Sequence, residues 1–216
     1  AKGTKYGDEI AAILAELGDE LPADGEVWAV WAAEPPFAVL RATAEGDAWR
    51  LDGLKAFCSG VGVVTHALVT AATPEGSRLF AISLDARGIA VDHEGPSWVG
   101  PGMERALTST LRLDDVPARP VGPVGAYTDR PGFWLGAIGI AACWFGGARG
   151  VADTLEDARD RLGPHGLAHL GAVRAGVDTF DLVLRAAAEC ADAGPTVRRA
   201  ERLALAVRTR AADLVD

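Results

Sequence analysis

The spacing of apolar residues changes twice along the chain and divides it into three parts. Near the N-terminus, four apolar residues recur at helical spacing: Ile10, Ile13, Leu14 and Leu17. This pattern predicts a short helix over residues 8–17. Asp8 is expected to be its N-cap, because a carboxylate accepts hydrogen bonds from the free N–H groups of a first turn, and Gly18 is expected to end it.

Between residues 25 and 123 the helical spacing gives way to short β-type runs separated by glycine, proline and aspartate. The predicted strands cover residues 27–32, 39–45, 48–54, 67–72, 79–84, 89–92 and 108–113. Asp52-Gly53 predicts a tight turn, and so does Asp114-Asp115 followed by Pro117. No helical segment separates the strands, so the pattern favours an antiparallel sandwich or barrel over a parallel βαβ fold.

After residue 131 helical spacing returns and continues to the end of the chain. The predicted helices cover residues 133–162, 166–193 and 196–216. Short loops between long helices favour antiparallel neighbours. The predicted fold class is α+β: an antiparallel β-sandwich or barrel followed by an antiparallel helical bundle, with domains at 1–24, 25–130 and 131–216. Three helices leave one side of the bundle open, and a fourth helix or another subunit is expected to cover it.

Charge and cysteine content narrow the classes of function. The 216 residues carry a net charge of −9, and an acidic surface repels phosphate backbones, so nucleic-acid binding is not expected. The three cysteines form no CxxC motif, which favours a reduced, cytoplasmic setting. The longest apolar stretch, residues 133–145, is too short and too rich in glycine to predict a membrane span.

One segment of the β-rich part carries a specific motif. Residues 49–60 read WRLDGLKAFCSG. Phe57 and Ser59 are two apart, so a strand would turn both to the same face. An aromatic plane beside a hydroxyl suits the face and edge of a tricyclic ring system. The segment resembles the W-x-L-x-G-x-K-x-[WF]-[IC]-[ST] stretch of the acyl-CoA dehydrogenase-like flavoprotein superfamily.

Three further segments extend the resemblance. Residues 102–117 read GMERALTSTLRLDDVP and are similar to the strand that leads into the helical domain of that superfamily. Residues 30–35 read VWAAEP and resemble its T-E-P segment, with Ala33 in place of the usual Thr or Ser. Residues 159–163 read RDRLG and resemble its R-x-x-F-G motif. The order of the three parts is also that of the superfamily, although the N-terminal helical part is reduced to a remnant.

The resemblance implies FAD as cofactor and acyl-CoA or another acyl thioester as substrate. It assigns flavin contacts to Phe57 and Ser59, to the backbone of Ala32, Ala33 and Glu34, and to Arg159, whose counterpart reaches the flavin pyrophosphate of a neighbouring subunit. The implied assembly is a homodimer or homotetramer, or a hetero-oligomer in which this chain is one subunit. The chain would be a shortened member of the superfamily.

The catalytic base of such a dehydrogenase is not found. The reaction needs a carboxylate to remove the α-proton while hydride leaves the β-carbon. The superfamily places its glutamate either in a late loop of the last helical domain, before which this sequence stops, or early in the first long helix, where residues 133–139 read FWLGAIG. Four alternatives follow: the chain is a piece of a longer enzyme, a partner subunit supplies the base, the chemistry is flavin-dependent monooxygenation, or the chain is a non-catalytic structural subunit.

A metal site is not predicted. His165 and His169 have the four-residue spacing of two ligands on one helical face, but no cysteine or carboxylate nearby completes a ligand set.

Overall fold

The computed structural model describes residues 5–93 and 103–215. The chain divides into two compact units, Ala1–Tyr127 and Thr128–Asp216.

The first unit contains one helix and seven strands in its described part. The helix is α1 (Lys5–Glu16), and a 3-10 turn covers Glu104–Ala106. The strands are β1 (Trp28–Trp31), β2 (Leu40–Glu45), β3 (Ala48–Cys58), β4 (His66–Thr73), β5 (Gly76–Ser83), β6 (Ile89–Val91) and β7 (Ser109–Val121). Helix α1 begins at Lys5, so Asp8 lies within the helix and the prediction that it is the N-cap was wrong.

Five of the strands close into a ring in the order β4, β2, β3, β7 and β5, because β5 also pairs with β4. Strand β1 adds to β4, and β6 adds to β7. The predicted α+β class with a barrel-like β module is confirmed. The pairings of β4 with β1 and with β2 are parallel, and the other pairings are antiparallel.

Apolar residues alternate along the strands, so that one set fills the interior of the ring and another set lies on its outer surface. Leu51, Val69, Phe80, Leu111 and Val116 are buried in the interior cluster. Apolar residues that point outward from β4, β5 and β7 would otherwise face water, and α1 covers them. Its Ile10, Ile13 and Leu14 pack on these strands, as the helical spacing predicted.

The two predicted turns are not turns. Strands β3 and β7 run continuously through Asp52-Gly53 and Asp114-Asp115, which face each other where the register between the strands shifts. The backbone N–H of Asp115 donates a hydrogen bond to Asp52 Oδ1 at 2.9 Å. Gly53 and Asp115 have φ angles of +122° and +51°. The residues favoured in tight turns therefore form a β-bulge that bends the two strands.

The second unit is helical. Helices α2 (Pro131–Asp157), α3 (Pro164–Asp192) and α4 (Val197–Val215) pack around a common apolar core, with a 3-10 turn at Arg159–Arg161. The core contains Phe145, Phe180, Val177 and Val207. Helix α2 ends earlier than predicted because the chain tightens into the 3-10 turn before Gly163.

Helix α2 has a length and an apolar composition that would allow it to cross a membrane, which the sequence pattern did not predict. It is the one such helix in the described ranges, and 22% of its most apolar 18-residue window is buried. Much of an apolar helix is thus left uncovered by the rest of its unit.

Candidate functional site

The end of strand β3 displays two of the predicted site residues to solvent. Phe57 is 45% exposed and Ser59 is also exposed, whereas Cys58 between them is fully buried. The register between β3 and β7 shifts between Lys55 and Cys58, and Phe57 has a φ angle of +59°. A bulge therefore turns the aromatic ring outward, and the left-handed backbone conformation is uncommon for so large a residue.

Each of these two side chains has a partner. The ring of Phe37 meets that of Phe57 edge to face, with 6.0 Å between the centroids. The Ser59 and Thr108 hydroxyl oxygens lie 2.8 Å apart and share a hydrogen bond. We call these four residues the Phe57 face. It combines two exposed aromatic rings with a linked pair of hydroxyl groups.

Residues 103–108, which precede β7, border the Phe57 face. Like Phe57, two of them have a left-handed backbone conformation. Met103 and Leu107 have φ angles of +58° and +48°, and their side chains are 70% and 50% exposed. The backbone N–H of Gly60 donates to the carbonyl of Ala106 at 2.6 Å, which holds this segment against the end of β3. Strained, exposed apolar residues are thus concentrated at one end of the barrel, a pattern typical of binding sites.

A buried tryptophan fixes the backbone under Ser59. The indole N–H of Trp31 donates to the Ser59 carbonyl at 3.1 Å, and the Trp31 side chain is 3% exposed. Because a buried donor is costly to leave unpaired, this bond holds the segment after β3 to the end of β1.

A buried lysine connects the site to the 32–34 segment. Lys55 is 2% exposed, and its Nζ donates to the Thr70 carbonyl at 2.6 Å and to Thr70 Oγ1 at 2.9 Å. The Thr70 hydroxyl in turn donates to the Ala32 carbonyl at 3.4 Å. Burial lowers the pKa of Lys55 to about 8, and the charge of Glu34 opposes that shift. The lysine therefore ties β3 and β4 to the backbone after β1.

Few polar groups of residues 32–34 are free to bind a ligand. The Ala32 carbonyl accepts the Thr70 bond, and Glu34 Oε1 accepts a hydrogen bond from Ser77 Oγ at 2.7 Å. Ala33 is exposed and has no hydroxyl. Any hydrogen bond from Ala32 or Ala33 to a ligand must therefore come from the backbone.

Arg159 belongs to the helical unit, where it lies in the 3-10 turn after α2. Its side chain is 62% exposed, and its guanidinium forms an ion pair with Glu156 at 3.1 Å. Glu156 also accepts a hydrogen bond from Arg174, which reaches Asp153 as well. The guanidinium of Arg159 is accessible, and an anionic ligand would have to compete with Glu156 for it.

Catalytic groups are scarce at the Phe57 face. Among the contacts described for its four residues, none is with a carboxylate. Within residues 5–93 and 103–215, no group of three or more His, Cys, Asp and Glu side chains is placed to hold a metal ion.

Sequence reasoning missed several residues that build the site. Thr108 was read only as the start of a strand, and Trp31 only as part of the T-E-P-like segment. The lysine within the β3 motif carried a signal, because a lysine between apolar strand positions needs a buried partner such as Thr70. The contact between Phe37 and Phe57 joins residues twenty apart and left no local pattern.

Comparison with solved structures finds a similar fold in several proteins. A protein assigned as an acyl-CoA dehydrogenase from Mycobacterium smegmatis superposes with a TM-score of 0.70 at 19% identity, covering 96% of this chain and 64% of that one. TdsC from Paenibacillus sp. A11-2, solved with FMN and indole, gives 0.67 at 19% identity, covering 97% and 64%. The nitrososynthase from Micromonospora carbonacea var. africana gives 0.65 at 22% identity, covering 88% and 54%.

No protein-family model matches the chain, and no curated protein matches it either. This chain spans 54 to 64% of the length of the three solved structures. The barrel, the three helices and the superpositions together show that the chain has the acyl-CoA dehydrogenase-like fold.

Proposed function

We propose that the Phe57 face binds the ring system of FAD, and that the chain is an acyl-CoA dehydrogenase-like oxidoreductase whose substrate is an acyl thioester. The observation that carries this proposal is the outward display of Phe57 and Ser59 on either side of the buried Cys58. Holding an aromatic residue exposed and in the left-handed region costs about 1–3 kcal/mol, which binding of a ligand would offset.

The side chains of the Phe57 face suit a flavin. The Phe57 ring offers an apolar surface for a flat tricyclic system. In the Ser59–Thr108 pair one hydroxyl donates to the other, so one O–H remains to donate to a ring nitrogen or carbonyl oxygen. Arg159 would offer a guanidinium to the pyrophosphate of a flavin bound by a neighbouring subunit, as the resemblance implies, if Glu156 releases it.

A bound flavin would supply the two-electron acceptor of the reaction. The residues of the Phe57 face would hold the ring, orient its edge and keep water from one side of it. The α-proton of an acyl thioester must go to a base at the same time. We propose that this base comes from a partner subunit, and that the assembly is a cytoplasmic homodimer or homotetramer, or a hetero-oligomer.

Flavin-dependent oxygenation is the second candidate. It needs no carboxylate at the α-carbon, and none is in contact with the Phe57 face in the described part of the chain. Two of the similar structures point the same way, since one is a nitrososynthase and another holds FMN and indole. Turnover of acyl-CoA with an artificial electron acceptor in the absence of oxygen would favour dehydrogenation. Oxygen consumption with reduced flavin would favour the second candidate.

Replacing Phe57 with leucine, or Ser59 with alanine, is expected to weaken flavin binding by about five- to tenfold. The first change removes the aromatic surface, and the second removes a hydrogen bond at the ring edge, each worth about 1–1.5 kcal/mol. Titration of FAD and FMN in parallel, followed by quenching of flavin fluorescence, measures the affinities.

The matched control is Thr43→Ala, because Thr43 is an exposed hydroxyl residue on the neighbouring strand β2. We expect this variant to bind flavin as the wild type does. A wild-type protein that leaves flavin fluorescence unchanged at micromolar concentrations would contradict the proposal. So would Phe57→Leu and Ser59→Ala variants with unaltered affinity.

A further inference from the structure

The ammonium group of Lys55 is buried next to the residues that form the Phe57 face. Lys55 lies on β3, two positions before Phe57, and its side chain is bonded to Thr70 on β4. It is close enough to the buried thiol of Cys58 for each group to affect the pKa of the other. Because Cys58 lies directly between Phe57 and Ser59, the ammonium lies behind the Phe57 face.

A chain of hydrogen bonds also places the ammonium behind the peptide that joins Ala32 to Ala33. Lys55 Nζ donates to Thr70 Oγ1 at 2.9 Å, and the Thr70 hydroxyl donates to the Ala32 carbonyl at 3.4 Å. This peptide is trans, so its N–H, which belongs to Ala33, points away from Thr70. A flavin that accepts a hydrogen bond from this N–H would lie on the far side of the peptide, about 10–12 Å from the ammonium.

The charge on Lys55 is not neutralised by a neighbouring carboxylate. The hydrogen bonds of its ammonium go to two uncharged oxygens of Thr70. The charge of Glu34 affects the pKa of Lys55, but in the described part of the chain the Glu34 carboxylate is bonded to Ser77 and forms no ion pair with Lys55. A buried charge without a counter-ion costs stability, and buried groups of this kind are concentrated at functional sites.

A buried cation at this position favours negative charge on a ligand at the Phe57 face. Transfer of a hydride from a substrate brings two electrons and one proton, so a neutral flavin ring gains one unit of negative charge. Between unit charges about 10–12 Å apart, at an effective dielectric constant of about 20, the attraction changes an equilibrium constant on the order of tenfold. Reduced flavin would therefore be bound more tightly than oxidised flavin.

We propose that Lys55 raises the reduction potential of a flavin bound at the Phe57 face, through the positive charge that it holds behind Cys58 and the Ala32–Ala33 peptide. Lys55 does not touch the ligand and acts through its electric field. The inference rests on the proposed function, because it requires a flavin at this face, and it adds what sets the driving force for hydride transfer.

Replacing Lys55 with methionine tests the proposal. The midpoint potential of the bound flavin should become more negative by about 30 mV, which corresponds to a tenfold change for a two-electron couple. Equilibration of the protein complex of FAD or FMN with a reference dye, without oxygen, measures the potential, and thermal unfolding verifies that the variant folds. The matched control is Arg41→Met, which removes an exposed charge from β2 and should leave the potential unchanged because solvent screens that charge.

The Thr70→Val variant separates the charge of Lys55 from its hydrogen bonds. This variant loses the link to Ala32 but keeps the carbonyl that binds the ammonium. If Lys55 only held the backbone of Ala32 in place, Lys55→Met and Thr70→Val would each weaken the binding of oxidised and reduced flavin by the same factor, and neither would change the potential. We expect instead that Thr70→Val retains the wild-type potential and that Lys55→Met does not.

The effect should fade as Lys55 loses its proton. Burial lowers the pKa of Lys55 to about 8, and the titratable groups that face it are Glu34, after β1, and Cys58, on β3. The Cys58 thiol stays neutral up to pH 9, because burial raises its pKa to about 12. The difference in potential between wild type and Lys55→Met should therefore be nearly complete at pH 7 and less than half as large at pH 9. For the same reason, the potential of the wild-type complex should fall more steeply above pH 8 than that of free flavin.

Equal potentials in the wild type and Lys55→Met at pH 7, with flavin bound to both, would overturn this inference and leave the proposed function standing. So would a difference in potential that is unchanged at pH 9. If Lys55→Met does not fold, a wild-type potential that parallels that of free flavin from pH 7 to pH 9 overturns the inference instead. A wild type that takes up neither FAD nor FMN would contradict the proposed function, and this inference with it.

Discussion

Replacing Gly53 with alanine is expected to destabilise the β-rich unit by about 4 kcal/mol, a large fraction of the stability of an ordinary domain. Gly53 lies within β3 at a φ angle of +122°, and a Cβ atom there would fall on the carbonyl oxygen of Val39. That carbonyl accepts the backbone hydrogen bond of Leu54 at 3.0 Å. The strand therefore cannot move away without losing a bond of the sheet. Chemical denaturation measures the change.

The control for this substitution is Gly46→Ala. Gly46 also has a positive φ angle, +63°, but a Cβ atom there meets nothing within 4 Å. Only the backbone conformation is then penalised, by about 1 kcal/mol. If Gly53→Ala and Gly46→Ala lower the free energy of unfolding by the same amount, the clash with the Val39 carbonyl does not contribute to the loss.

The stability of the protein is expected to rise between pH 7.5 and pH 9 because of Lys55. Burial lowers the pKa of Lys55 from 10.5 to about 8 in the folded state. The unfolded chain then holds more protons than the folded one between pH 8 and pH 10.5, so raising the pH favours folding. The full effect is about 3 kcal/mol, of which about 1 kcal/mol appears by pH 9.

The Lys55→Met variant isolates this effect. Methionine has a similar length and no charge, so the difference in unfolding free energy between wild type and variant should increase by about 1 kcal/mol from pH 7.5 to pH 9. Cys58 acts in the opposite direction above pH 9, since burial raises the pKa of its thiol to about 12. Measurements should therefore stop at pH 9. A difference that stays constant over this range would show that the lysine is not buried as a charged group.

Local sequence patterns predicted most elements because each pattern has a local cause. The spacing of Ile10, Ile13 and Leu14 predicted the helix that covers the barrel, and it does so with these residues. Phe57 and Ser59 are both exposed on either side of the buried Cys58, although a bulge at the end of β3, and not regular strand alternation, turns Phe57 outward. Their assignment to flavin contact remains a prediction.

The errors came from dipeptides whose conformation depends on a distant partner. Asp52-Gly53 has the composition of a turn, but Asp52 accepts its hydrogen bond from Asp115, sixty-three residues later. A positive φ angle is needed in a turn and in a bulge alike, so composition alone cannot separate them. The hydrogen bond between Ser59 and Thr108 also joins residues that are distant in the sequence, so no local pattern predicted it.

The closed ring of strands constrains how the chain folds as it is synthesised. Strand β7 is the only described strand that joins β3 to β5, and its Ala118 pairs with Trp49 of β3, sixty-nine residues earlier in the chain. Until residue 121 has left the ribosome, β3 and β5 each have an unpaired edge. Such edges invite pairing with other chains. A nascent chain paused before β7 should therefore be the species most prone to aggregation and most dependent on chaperones.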